Sequence, residues 1–253
     1  MSPRFPQELF DHIIDYASHN DDLKTYSLVC KSWSIRSRSH LFANIVFNAP
    51  MDLQHWCKAI PPTPDGPSKY VKGLTFQPWV VPLILKPYRF DKYPIHFAAL
   101  TRVVDLTIAD DGGRRPDMLF LCFSAFQNTL QSLKIFGSSL EFNEISRMVE
   151  FFPNLEVLSV RGPTLCEPTQ EDWLHPPRKA SFPRLKSLYL HLLAGHPGLD
   201  NNLLSGFAQA SMNLQLLSIT GKIPNLTLVQ KLLDTSAKSL SDIRVSPLGR
   251  SRL

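Results

Sequence analysis

The chain has 253 residues, of which 43% are hydrophobic and 19% charged, with a net charge of +5 and a pI near 9.0. So much apolar material, with charge below the usual quarter, excludes a largely disordered chain and provides a sizeable core for one or two domains. The basic excess is small and scattered, against a nucleic-acid binder built on a continuous Lys/Arg stripe, and the longest apolar run, Trp79 to Leu85, contains Pro82 and is too short to span a bilayer.

The first elements are helical. Pro6 suits the first turn of a helix, where its missing N–H costs nothing. Leu9, Phe10, Ile13, Ile14 and Ala17 follow at helical spacing as one apolar stripe. Asn20 with Asp21 and Asp22 supplies cap chemistry for a second helix, which carries Leu23, Tyr26, Leu28, Val29 and Cys30. A third ends near Leu41 and Phe42 and bears the densest basic cluster, Lys31, Arg36, Arg38 and His40. A unit of about 40 residues cannot bury this much apolar surface alone, so the excess docks on the rest of the chain or on a partner.

Residues 1–42 resemble an F-box. The matching residues are Phe5-Pro6, Glu8-Leu9-Phe10, Ile13-Ile14, Asp22-Leu23 and the run Ser27 to Trp33. The family usually opens Leu-Pro, and Phe5-Pro6 keeps the apolar character. The resemblance implies binding to a Skp-type adaptor, and through it to a cullin, with Phe5, Pro6, Leu9, Ile13, Leu28, Val29 and Trp33 facing or supporting that interface. Adaptors of this kind are acidic as a family, so the basic cluster on the third helix would assist docking. The plainer alternative is a helical cap whose apolar residues pack on the next domain.

Behind residue 42 one pattern recurs: apolar, two residues, apolar, one residue, apolar. It appears as Phe42-Ile45-Phe47, Val71-Leu74-Phe76, Val103-Leu106-Ile108 and Leu130-Leu133-Ile135, then as Leu155-Leu158-Val160, Leu185-Leu188-Leu190, Leu214-Leu217-Ile219 and Leu240-Ile243-Val245. Successive starts lie 29, 32, 27, 25, 30, 29 and 26 residues apart, the spacing of a leucine-rich repeat. The last two apolar positions lie on one side of a short strand, and the intervening residues on the other. Apolar stripes between the strands predict helices at Leu53-Trp56-Cys57-Ile60, Phe142-Ile145-Val149-Phe152, Leu203-Leu204-Phe207-Ala208 and Leu226-Val229-Leu232-Leu233. Residues 43–253 therefore resemble the degenerate leucine-rich repeats found behind many F-boxes, especially in fungi. The expected fold is α/β: a three-helix F-box followed by a solenoid of seven to eight irregular repeats, with a parallel sheet on its concave side and helices or loops on its convex side. Pro61 to Pro67 reads as a turn-rich connector without a helix, and Gly162 to Pro177 as a long loop. No polar cap is visible after Val245, which leaves two expectations, a truncated chain or a frayed last helix.

No catalytic motif, cofactor site or metal site can be assembled. His55 and Cys57 are two apart on a helical pattern and share no face. Gly112-Gly113-Arg114-Arg115 follows Asp110-Asp111, which offsets its charge, so a turn is the better reading. Function then falls to the concave strip of Val46, Thr75, Thr107, Lys134, Ser159, Tyr189, Ser218 and Arg244, extended by Arg161, His191 and Thr220. Lys134, Arg161, Tyr189, His191 and Arg244 are the candidate substrate-binding residues, suited to a protein segment with acidic or phosphorylated groups. Ordinary solvated surface is the alternative. Four widely spaced cysteines, three of them in apolar helical patterns, and no signal peptide predict a reducing compartment, cytoplasmic or nuclear. The implied activity is that of a non-catalytic substrate receptor of a ubiquitin ligase, with no nucleic acid or membrane partner; a leucine-rich scaffold with no ligase role is the rival.

Overall fold

The repeat in the sequence is the register of a sheet. In a computed structural model describing residues 6–17, 19–63, 66–78, 80, 93–109, 123–137, 142–162, 177–192, 197–223 and 225–247, the chain is mixed α/β. Its main strands are β1 (Asn44–Phe47), β2 (Gly73–Phe76), β3 (Asp105–Ala109), β4 (Ser132–Phe136) and β5 (Val157–Arg161), followed by β7 (Ser187–Leu192), β9 (Leu216–Gly221) and β10 (Asp242–Pro247). They form one eight-stranded sheet in chain order, every neighbouring pair parallel. Because the order never reverses, the sheet has no topological switch point of the kind where doubly wound folds bind nucleotides.

The aligned positions are those of the repeat. Ile45, Leu74, Leu106, Leu133, Leu158, Leu188, Leu217 and Ile243 lie in one row across the eight strands. Phe47, Phe76, Ile108, Ile135, Val160, Leu190, Ile219 and Val245 lie in the row two residues on. Strand side chains alternate between faces, so both rows point one way, and they are buried from β2 to β9. On the terminal strand β10 their counterparts Ile243 and Val245 are exposed.

Among the described residues eight helices accompany the sheet: α1 (Gln7–Asp15), α2 (Asn20–Tyr26), α3 (Lys31–Leu41), α4 (Pro50–Ala59), α5 (Tyr93–Ala98), α6 (Phe142–Phe151), α7 (Pro197–Gln209) and α8 (Leu226–Ser236). Leu53 of α4, Phe142 and Ile145 of α6, Leu204 and Phe207 of α7, and Leu232 of α8 reach full burial in the same core as the sheet rows. Phe47, Phe76, Phe97, Phe123 and Phe126 form a run of ring contacts beneath the first strands. Asn225 caps α8 by accepting from the Thr227 and Leu228 N–H groups.

Several expectations need correction. The second helix ends at Tyr26, so Leu28, Val29 and Cys30 lie in the turn before α3. Asn20 is its first residue and not its cap; His19 holds that position with no side-chain cap bond. Leu226 is 73% exposed, and Leu228 packs on the core in its place. The Pro61–Pro67 connector runs into a 3-10 turn, Pro67–Tyr70, which packs against α3. A second pairing, β6 (Ser181–Phe182) with β8 (Ser211–Met212), has no counterpart in the sequence expectations.

Candidate functional site

Two surfaces carry unmatched chemistry. The first is on the N-terminal helices. The stripe of α1 divides: Ile14 is fully buried and Phe10 half-buried, while Leu9 and Ile13 are 48% and 49% exposed. Tyr16, at 85%, continues the exposed side. Leu28 and Val29, raised on the turn after α2, are 86% and 59% exposed. Together they exceed the scatter of single apolar residues normal on a soluble surface. Leu9, Phe10, Ile13, Tyr16, Ala17 and Tyr26 line an open groove of about 790 Å³, with His12 and Asp22 as its polar members. Pro6 is exposed at the head of α1, and Phe5 lies outside the described residues. Tyr16 was missed from the sequence, although it stands three residues after Ile13 and so shares its side of the helix.

Trp33 has a different position. It is half-buried, with ring centroids 5.4 Å from both Phe10 and Tyr26, and so joins all three helices from within. A polar clamp reinforces that arrangement. Asp15 of α1 accepts two hydrogen bonds from the Arg36 guanidinium of α3 and lies 2.7 Å from His40 Nε2. The hydrogen bond from Arg36, aided by that to His40, holds the Asp15 carboxyl down at about 2. Two of the four basic residues on α3 are thus engaged within the unit, and Lys31 and Arg38 remain exposed.

The second surface is the polar face of the sheet, opposite the core. Val46, Thr75, Thr107, Lys134, Ser159, Tyr189, Ser218 and Arg244 occupy one row across the eight strands. Ala109, Phe136, Arg161, His191, Thr220 and Ser246 form the row nearer the strand ends. The register thus brings Lys134, Arg161, Tyr189 and His191 together on β4, β5 and β7. Arg244 stands two strands from Tyr189, and its guanidinium is held by Asp242 at 2.6 Å, so its charge is met within β10. Lys134 and Arg161 make no ion pair with any described residue. His191 Nδ1 and Thr220 Oγ1 share a 2.6 Å hydrogen bond. Burial, and then the Arg161 charge, pull the imidazole below its ordinary value. Ser159 and Ser218 of the expected strip are small and buried; Asp242 was not singled out as functional, although a partner two residues before Arg244 was visible in the sequence.

The cysteines divide as well. Cys57 is half-buried, and burial pushes its thiol up to about 11. Cys30 is exposed at the start of α3, and not on the second helix where its apolar pattern put it. The Ser32 hydroxyl, helped by the Trp33 N–H, lowers its pKa. The other two cysteines, Cys122 and Cys166, the turn expected at Gly112–Arg115 and most of the loop expected at Gly162–Pro177 lie outside the described residues. Among the described residues no three His, Cys, Asp or Glu side chains gather as a metal site, and no helix is long and apolar enough to cross a membrane. No protein-family model matches the chain, and no curated protein matches it in sequence.

Proposed function

We propose that the chain is a non-catalytic substrate receptor: residues 1–42 act as an F-box that binds a Skp-type adaptor, and through it a cullin, while the remaining leucine-rich solenoid presents a protein target on its polar sheet face. The observation that carries the reading is the exposed apolar set Leu9, Ile13, Leu28 and Val29. These are residues of the F-box resemblance, and they stay in solvent although a core large enough to take them lies in the same molecule. A cap that packed on the next domain would have buried them. Trp33, with Phe10 and Tyr26, supports the interface by fixing the three helices.

The mechanism is proximity. Two binding surfaces on one body raise the effective concentration of target lysines near a ubiquitin donor, and the chain forms or breaks no bond itself. Co-expression of the full chain with a Skp-type adaptor tests the first half. The wild type is expected to co-purify with the adaptor, and Leu9→Ala/Leu28→Ala to lose it while keeping its circular dichroism and melting temperature. Equal recovery of adaptor by both proteins would sink the proposal. The exposed rows of the sheet also support a leucine-rich scaffold with no ligase role, which is the reading left if the wild type binds no adaptor.

A further inference from the structure

The two edges of the sheet are finished differently. At β1 the apolar rows are closed: Phe47 is buried, and Ile45 packs on the core. At β10, the opposite edge, the same rows stand open. Ile243 is 53% and Val245 44% exposed, whereas their neighbours on β9, Leu217 and Ile219, are fully buried. An edge strand also presents a line of unpaired backbone N–H and C=O groups, and proteins commonly blunt such an edge with a charge that repels a second strand. β10 has a single cation, Arg244, and Asp242 already holds its guanidinium at 2.6 Å. The edge therefore combines open backbone, open apolar rows and a charge that is locally balanced.

We propose that β10 pairs with β10 of a second copy of this chain, antiparallel about a twofold axis, so that two sheets join into one. The strand is self-complementary in one register. With the axis at Ile243, each Asp242 stands opposite Arg244 of the other copy, and Ile243 meets its own counterpart. Facing residues of an antiparallel pair share a side of the sheet. The charges thus meet on the polar side and the isoleucines on the apolar side, with Val245 diagonal to Ile243 of the other copy. The Asp242–Arg244 pair within each strand becomes part of a ring of four alternating charges. With the axis at Arg244 instead, two guanidiniums would face each other, which is unfavourable. Addition of β10 to β1 of another copy would run head to tail without closing, whereas the twofold contact closes at two chains. The inference concerns this edge alone and depends on neither the adaptor nor the target reading.

The contact is small, so a dissociation constant on the order of 10–100 μM is expected. Sedimentation equilibrium of the full chain, from about 5 to about 500 μM, tests it. The average mass is expected to rise from 28.7 kDa toward twice that value and no further. Asp242→Arg sets an arginine against Arg244 of the other copy, and Arg244→Asp sets an aspartate against Asp242. Each is expected to weaken dimerisation at least about tenfold while keeping the wild-type circular dichroism, since neither side chain is in the core. An equimolar mixture of the two variants puts opposite charges together at both positions and is expected to recover association to within about threefold of the wild type. Such mutual rescue requires two β10 strands running antiparallel in this register, so a second copy bound through any other surface would not show it. A mass that stays at one chain, growth beyond two chains, undiminished dimerisation of either single variant, or a mixture that fails to associate overturns the proposal.

Discussion

Gly206 lies inside α7, where alanine would ordinarily be preferred by about 1 kcal/mol. Here a Cβ would meet the Phe142 ring at 2.0 Å, and Phe142 is fully buried between α6 and α7, its ring 5.1 Å from that of Phe207. Gly206→Ala is therefore expected to destabilise the protein by about 2 kcal/mol, the usual cost of overpacking, as read from the urea midpoint. A midpoint that rises would show that the α6–α7 contact yields easily. Asp200, in the first turn of the same helix, is 4% exposed, and burial pushes its carboxyl up to about 7. A group whose pKa is raised on folding contributes full stability below its unfolded value, and that contribution is lost as pH rises through the folded value. Stability is thus expected to decline between about pH 4 and pH 7, and Asp200→Asn to remove roughly 3 kcal/mol of that decline. Parallel pH profiles of the two proteins would contradict the assignment.

The N-terminal helices show how far local pattern reaches. The spacing of Leu9, Phe10, Ile13 and Ile14 marks a helix, but it does not say which half of a broad stripe turns inward. That was decided by Trp33 of α3, whose ring meets Phe10 and is met in turn by Tyr26 of α2. The clamp of Asp15 on Arg36 and His40 spans 21 and 25 residues, beyond any helical periodicity, and so was not legible. Its pH dependence runs opposite to that of Asp200. The depressed Asp15 carboxyl stabilises above about pH 4, and its contribution is lost as pH falls toward about 2. Asp15→Asn is expected to loosen α1 from α3, seen as faster amide exchange in α1 at pH 7, with wild type and variant converging at low pH. Unaltered exchange in α1 would assign its anchoring to the aromatic contacts alone. The cap of α8 was missed although Asn225, which supplies the bond, stands directly before the Leu226 stripe. Asn225→Ala is expected to cost about 1 kcal/mol by the same urea measurement, and no loss would show the cap to be dispensable.

At the scale of the whole molecule, the sheet was the most legible feature. Eight occurrences of one apolar spacing identify eight strands, and the residues between them share one row because parallel pairing preserves position from one unit to the next. The polar rows were legible as the candidate binding strip, Lys134 and Tyr189 in one and Arg161 and His191 in the next. What the sequence leaves open is the fate of charge across strands: Asp242 neutralises Arg244, while Lys134 and Arg161 stay unpaired among the described residues. The β6–β8 pairing also escaped, because two-residue strands carry no alternation to detect. The proposed function rests on two surfaces together: an apolar face on the first helices and a polar, partly cationic sheet face. Calorimetric titration of a Skp-type adaptor into the full chain tests it most directly. The account expects saturable one-to-one binding to the wild type and a loss of about thirtyfold or more in Leu9→Ala/Leu28→Ala, since one lost anchor costs roughly 2 kcal/mol. Absence of binding to the folded wild type, or equal affinity for both proteins, would contradict it.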